Sequence, residues 1–156
     1  MTKIFAGIDP GLSGGLAYVR PDGQGYAIKM PATERDILDQ IRDWGFADPE
    51  AFVFIERVHA MPGEGRSSIS KFMMNYGFLR GVLTTLGCRF EAIPPPQWQK
   101  VMGLILRKTP GGRKYTKTEK KNFNKARAQE LFPSIKMTHA IADALLIAEC
   151  CRRIKA

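Results

Sequence analysis

The chain has 156 residues, of which 44% are hydrophobic and 25% are charged. This composition supports a folded core and argues against wholesale disorder. No apolar run reaches the roughly 20 residues that a membrane span needs. The N-terminal residues also lack the apolar stretch and cleavage site of a secretory signal. We therefore expect a single domain over residues 1–156, located in the cytoplasm and without a membrane partner.

Cysteine usage agrees with a reducing compartment. The chain has three cysteines, Cys88, Cys150 and Cys151, and no two of them form a CxxC pair. An odd number without such a pair argues against a disulfide framework or a thiolate zinc site. We expect three free thiols.

The basic charge is concentrated in one segment. Lysine and arginine number 24 against 15 acids, so the net charge is +9. Residues 107–127 contain nine basic residues and only one acid, Glu119, and so account for nearly all of the excess. A localised positive charge predicts a polyanionic partner, with nucleic acid favoured over a membrane surface.

Hydrophobic periodicity predicts early strands followed by strands that alternate with helices. The predicted strands cover 3–8, 16–20, 26–30, 52–56 and 88–93. The predicted helices begin after an N-cap at Thr33 and then cover about 69–86, 97–103, 118–131 and 138–153, with a loop over 107–116. A turn signal at 21–25 joins the second and third strands as a hairpin. This order predicts an α/β fold with a mixed sheet covered by helices.

Four side chains with metal-binding or acid–base chemistry occupy suggestive positions. Asp9 and Glu56 come at the carboxyl ends of two apolar strands, where sites form in open α/β sheets. Asp143 lies in the last predicted helix, and His139 precedes it by four residues, so that both share one helix face. If the two strands are parallel neighbours, three carboxylates and an imidazole converge.

Carboxylates that lie close together in a basic protein require a physical explanation. Like charges held close together repel each other, and a hard divalent cation such as Mg²⁺ removes that cost. Such ions activate water and stabilise the leaving oxygen of a phosphodiester, while surrounding lysines and arginines hold the backbone. Acids at strand ends also form turns and cap helices, and a helical histidine is often simply hydrogen-bonded. The residue pattern alone leaves both interpretations open.

The sequence also resembles a known family in four stretches. They are GIDPGLSGGLAYV (7–19), FIERVHAM (54–61), PPPQWQKVMGL (94–104), and KARAQELFP with HAIADALLIAE within 125–149. Together and in this order they resemble the RuvC-type Holliday junction resolvases of the RNase H-like nuclease superfamily. The similarity is greatest to the short phage, bacterial and organellar branch.

This resemblance implies an RNase H-like mixed five-stranded sheet flanked by helices. It further implies a homodimer that nicks opposed strands of a four-way DNA junction symmetrically, using Mg²⁺ with Mn²⁺ as an alternative. Asp9, Glu56 and Asp143 would be the metal ligands. His139 stands where family members often carry another acid, and its role as a ligand or as a general base is undecided. The expected location is the cytoplasm of a bacterial or phage-infected cell, or an organelle.

The resemblance and the charge pattern also predict DNA contacts. Arg57 and His59 follow the second acid, in a loop that the family inserts at the junction centre. Lys100 corresponds to a basic residue near the scissile phosphate. A further group lies at the start of a basic helix, where backbone N–H groups also attract phosphate, after a basic loop at about 107–117 that we expect to be flexible. That group consists of Lys117, Lys120 and Lys121.

Two other functions fit the same features. An RNase H-like nuclease that acts on RNA or on RNA–DNA hybrid would share all three acids. A junction-binding protein without catalysis would bind branched DNA tightly and leave it uncut. A phosphate-binding ATPase of the actin or sugar-kinase type also begins with a strand that leads into an Asp and a glycine-rich turn. It needs two such domains, for which 156 residues are too few.

Overall fold

The computed structural model describes residues 3–58, 63 and 65–156. His59, one of the predicted DNA contacts, lies outside the described residues. The strands are β1 (Phe5–Asp9), β2 (Gly15–Val19), β3 (Gly25–Lys29), β4 (Phe52–Glu56) and β5 (Phe90–Ile93). The helices are α1 (Glu34–Asp43), α2 (Arg66–Thr85), α3 (Pro95–Val101), α4 (Lys117–Leu131) and α5 (His139–Lys155).

The five strands form one mixed sheet in the order β3-β2-β1-β4-β5. β1 pairs antiparallel with β2, and β2 pairs antiparallel with β3, as the hairpin pattern predicts. β1 pairs parallel with β4, and β4 pairs parallel with β5. The predicted α/β architecture with a mixed five-stranded sheet is confirmed.

Element boundaries differ slightly from those predicted. Asp9 is the last residue of β1 and does not follow the strand. α3 begins at Pro95, two residues before the predicted helix, because proline is tolerated in the first helical turn where no partner exists for its missing N–H. Thr33 is the N-cap of α1, and its hydroxyl accepts a hydrogen bond from the Asp36 backbone N–H at 3.1 Å.

Two hydrophobic layers cover the sheet, one on each face. Along β1, Phe5 packs in the layer that contains α5, whereas Ala6 and Ile8 pack in the layer that contains α1 and α2. β4 alternates in the same way, with Phe54 toward α5 and Ile55 toward α2. Because successive strand residues point to opposite faces, the last residues of both strands point to the α5 side.

α5 lies directly against the centre of the sheet. A Cβ atom added at Gly7 would stand 2.3 Å from both the Ala144 carbonyl oxygen and the Ala148 nitrogen. Gly15 of β2 is similarly close to the Ala140 carbonyl oxygen, at 2.7 Å. Glycine on two neighbouring strands therefore lets the helix backbone approach the sheet, with Asp143 between the contact points.

The three cysteines are free in the described part of the chain, with Cys150 and Cys151 buried in α5. Among the described residues, no helix is both long and apolar enough to cross a membrane.

We predict that Gly7→Ala destabilises the fold strongly. The added methyl group would meet helix backbone, which cannot rotate away as a side chain could, so the free energy of unfolding should fall by about 3 kcal/mol. Gly81→Ala in α2 is the control, because no side chain beyond its two chain neighbours and no backbone of another described segment lies within 4 Å of its added Cβ. Alanine there should raise stability by about 0.5–1 kcal/mol. Urea unfolding measures the free energy of unfolding of both variants. Equal changes in the two would contradict the close packing of α5 on β1.

Candidate active site

Asp9 and Glu56 lie side by side at the carboxyl ends of two parallel strands. The register pairs Ile8 of β1 with Ile55 of β4, so the next residue on each strand is an acid. Both carboxylates are half-buried and stand on the α5 side of the sheet. The juxtaposition that the sequence made conditional on parallel pairing is therefore present.

Asp143 reaches the same place from α5. Burial raises the pKa of Asp9 well above its usual value, and the charges of Asp143 and Glu56 raise it further. The carboxylates thus lie within each other's electrostatic field. Lys121 acts in the opposite direction and lowers the pKa of Asp9. The three acids that the sequence singled out therefore lie within electrostatic range of one another near the strand ends.

Glu56 is held by a tryptophan that sequence analysis did not single out. The Trp98 indole N–H donates to Glu56 Oε2 at 2.6 Å. The pKa of Glu56 is raised from the usual 4.5 to about 7. Burial is the largest cause, the Trp98 hydrogen bond acts to lower the pKa, and the Asp143 charge acts to raise it. Desolvation therefore outweighs a strong hydrogen bond at this carboxylate.

Asp143 and His139 are each held by an asparagine of α4. Asn124 Nδ2 donates to Asp143 Oδ1 at 3.0 Å. Burial raises the pKa of Asp143, against the lowering effects of the Asn124 hydrogen bond and of the Lys121 and His139 charges. His139 is exposed, and its Nε2 lies 3.1 Å from Asn122 Oδ1. His139 is thus near Asp143, one helical turn away on the same face.

The acids fit a hard divalent cation by their chemistry, although they do not form a closed cluster. Over residues 3–58 and 65–156, no three His, Cys, Asp or Glu side chains stand close enough together to form a ready-made metal cluster. Among hydrogen bonds between described residues, none involves the Asp9 carboxylate. Carboxylate oxygens are ligands that Mg²⁺ or Mn²⁺ binds, and a bound cation would neutralise the negative charges and remove the repulsion between them.

Exposed basic side chains lie on the segments that carry these acids and their hydrogen-bond partners. Arg57 directly follows Glu56, and Lys100 lies two residues after Trp98 on α3. Lys117, Lys120 and Lys121 are exposed in the first two turns of α4. Lys121 is the one whose charge acts on both Asp9 and Asp143.

The predicted basic loop before α4 contains an ordered turn. Thr109 and Arg113 pair through the Thr109 N–H and the Arg113 carbonyl at 2.7 Å. The Arg113 guanidinium donates to both carboxylate oxygens of Glu119, at 2.8 and 3.3 Å. Glu119 also accepts from the Thr116 N–H in a capping box that starts α4. The single acid of the basic segment therefore ties the loop to the helix.

Three residues of the site were missed from sequence: Trp98, Asn122 and Asn124. A signal existed only for Trp98, since a tryptophan in a folded domain is expected to be largely buried, and a buried indole N–H needs an acceptor. The two asparagines sit in a polar helix where nothing distinguishes them from solvated residues.

Comparison with known proteins supports the fold assignment. No family model and no curated protein matches the sequence. Among solved structures, Thermus thermophilus RuvC in complex with a Holliday junction substrate matches with a TM-score of 0.60 and 17% identity, over 95% of this chain and 91% of that chain. A second Thermus thermophilus RuvC structure matches with a TM-score of 0.55 and 17% identity, over 94% and 92%. The chain therefore has the RuvC-type, RNase H-like fold that its motifs predicted.

We predict that the stability of the metal-free protein falls as pH rises from about 4.5 to about 7. The raised pKa means that folded Glu56 keeps its proton in this window, whereas the unfolded chain has released it. The folded state therefore binds more protons, and its advantage is lost as pH passes through the folded pKa. The loss is on the order of 3 kcal/mol for this group.

Glu56→Gln should reduce this pH dependence, because glutamine keeps an acceptor for Trp98 and has no proton to release, while Asp9 and Asp143, whose pKa values are also raised, keep their own contributions. Thermal unfolding in EDTA across pH 4 to 8 measures the slope. The control is Glu91→Gln, an exposed acid on β5 that pairs with Lys155. A slope that persists unchanged in Glu56→Gln would show that Glu56 is not the group responsible.

Proposed function

We propose that this protein is a divalent-metal-dependent endonuclease that resolves four-way DNA junctions by paired symmetric nicks. The observation that carries the proposal is the meeting of Asp9, Glu56 and Asp143 on a RuvC-type fold, where each is desolvated. Desolvated carboxylates without a cationic partner are costly to a fold and are typical of functional sites, of which a cation site is one that neutralises them.

In this proposal the three carboxylates would hold Mg²⁺, with Mn²⁺ as an alternative. The ion, when bound, would supply a nucleophilic water at neutral pH and stabilise the charge on the phosphate. The chain itself supplies the orientation. Trp98 holds one oxygen of Glu56, and Asn124 holds one oxygen of Asp143. Burial on the α5 side limits the access of bulk water. His139, held by Asn122, would act as a further ligand or as the general base.

The basic residues around the acids would bind the DNA backbone. The proposed phosphate contacts are Arg57, Lys100, Lys117, Lys120 and Lys121, together with His59, which follows Glu56 by three residues in the sequence. Among them, Lys121 would act closest to the reacting phosphate; this is supported by the effect of its charge on two of the acids. Such contacts position the duplex and carry no base specificity.

Paired cutting requires two sites, and we propose that a homodimer provides them. A four-way junction has an approximate two-fold axis, which a dimer with two-fold symmetry matches. Analytical ultracentrifugation with and without junction DNA measures the assembly. A cytoplasmic location follows from the free thiols as part of the same proposal.

We predict that Asp9→Asn abolishes cutting and spares junction binding. Asparagine removes the charge that a cation needs and keeps the side-chain volume, so the cleavage rate should fall at least about a hundredfold. The assay compares a labelled immobile four-way junction with linear duplex of the same sequence, in Mg²⁺, Mn²⁺ or EDTA. Asp43→Asn, an exposed acid at the end of α1, is the matched control and should cut normally.

The outcomes separate the candidate functions. Paired nicks on the junction alone, with metal and intact Asp9, support a resolvase. Tight junction binding without nicks by the wild type in either metal supports the non-catalytic junction binder. Cutting of an RNA or RNA–DNA hybrid in preference to the junction supports the related nuclease. Normal cutting by Asp9→Asn would refute the metal-site assignment.

We predict a steep salt dependence of junction binding that the α4 lysines share. Each phosphate contact releases a condensed counterion, so replacing Lys117 or Lys120 with alanine should lower the slope of log K against log salt by about 1. Lys3→Ala is the control, because Lys3 precedes β1 at the end opposite Asp9. Fluorescence anisotropy at several salt concentrations measures the slopes. An unchanged slope in the α4 variants would remove these lysines from the DNA interface.

A further inference from the structure

Each of two acids in the site has one oxygen held by a neutral donor from a neighbouring helix. Trp98 of α3 donates to Glu56, and Asn124 of α4 donates to Asp143. We propose that Trp98 and Asn124 are positioning residues, which aim Glu56 and Asp143 at a divalent cation while leaving their negative charge intact. This inference rests on the proposed function, since it concerns the same cation site.

The geometry around Trp98 makes it a rigid donor. Its ring is only 1% exposed and packs in the core layer that contains α5. The indole can therefore rotate little, and the 2.6 Å hydrogen bond fixes Glu56 Oε2 in one direction. Glu56 Oε1 is the oxygen that this contact leaves for another partner. The second donor, Asn124, similarly engages only Oδ1 of Asp143.

The same helix shows how this chain treats an acid with a structural role. Glu149, six residues after Asp143 on α5, is buried and accepts hydrogen bonds from Arg152 and Arg153 at 2.8 to 2.9 Å. Burial acts to raise the pKa of Glu149, but the arginine hydrogen bonds outweigh it and the pKa is lowered. Two guanidinium groups cancel that charge, and no cation is then needed.

Glu56 and Asp143 accept hydrogen bonds from neutral groups instead of from arginines. An indole N–H and a carboxamide orient a carboxylate without neutralising it, so the attraction for a cation is preserved. Hydrogen bonds of this kind, made to a ligand by residues that do not touch the metal, fix ligand orientation and typically change metal affinity 10- to 100-fold. Arginine at either position would orient the acid equally well and would compete with the cation for its charge.

The test measures Mn²⁺ affinity without DNA, by calorimetric titration of the full chain. Trp98→Phe keeps the aromatic packing and removes the N–H, so Mn²⁺ should bind at least about 10-fold more weakly. Trp44→Phe is the matched control. Trp44 is the only other tryptophan, and its ring centroid lies 5.1 Å from that of Tyr18 in the opposite core layer. Replacing Trp44 should therefore leave the Mn²⁺ affinity unchanged.

A second variant keeps the proposal testable if Trp98→Phe fails to fold. Asn124→Ala places a good helix former at a half-buried position of α4, so the metal-free melting temperature should hold while Mn²⁺ affinity falls by a similar factor. In the Trp44→Phe chain, Trp98 is the sole indole, and its fluorescence should be quenched by Mn²⁺ over the same concentration range as in the titration.

The two levels of the proposal fail in different ways. If the wild type does not bind Mn²⁺, the cation site itself is wrong and so is the proposed function. If the wild type and Trp44→Phe bind Mn²⁺, and Trp98→Phe and Asn124→Ala bind it equally tightly, the positioning role is overturned and the cation site stands.

Discussion

The close contact between α5 and β1 is the constraint on which the rest of the structure depends. Because Gly7 has no side chain, the helix backbone comes within van der Waals distance of the strand backbone. That approach covers one face of the sheet with a helix whose central part, from Ile141 to Cys151, is buried except at Asp143. It also carries Asp143 to the strand ends where Asp9 and Glu56 stand. Packing and the candidate site therefore have the same cause.

The molecule accepts an electrostatic cost at this position and avoids it elsewhere. Burial raises the pKa values of all three site acids, and repulsion from neighbouring carboxylates raises those of Asp9 and Glu56 further, whereas arginine partners lower that of Glu149 on α5. Asp143, which accepts from a neutral donor, and Glu149, which accepts from cationic donors, thus lie within two turns of each other on α5. The difference in partners, more than the burial, distinguishes a group poised for a cation from a group that stabilises the fold.

Much of the architecture could be predicted from local pattern. Apolar runs at Phe5–Asp9 and Phe52–Glu56, the hairpin between β2 and β3 and the Thr33 cap depend on interactions within a few residues. The positions of Asp9 and Glu56 at strand ends and of Asp143 on a helix follow from periodicity, whereas their selection as candidate metal ligands came from the resemblance to the RuvC-type resolvases. The start of α3 at Pro95 could not, because proline stops a strand and begins a helix equally well.

By itself, the sequence determined which residues carry charge, which strands and helices form, and which acids stand at strand ends or on one helix face, since these follow from periods of 2 and 3.6 residues. Strand pairing and the packing of α5 decided that Asp9, Glu56 and Asp143 lie at the same end of the sheet. Only the tertiary structure decided which neutral side chains hold those acids. Trp98 is 42 residues from Glu56, and Asn124 is 19 residues from Asp143. Contacts over such separations depend on how α3 and α4 pack beside α5, which no local pattern encodes, because a polar residue on a helix can face solvent or a partner with the same sequence signature.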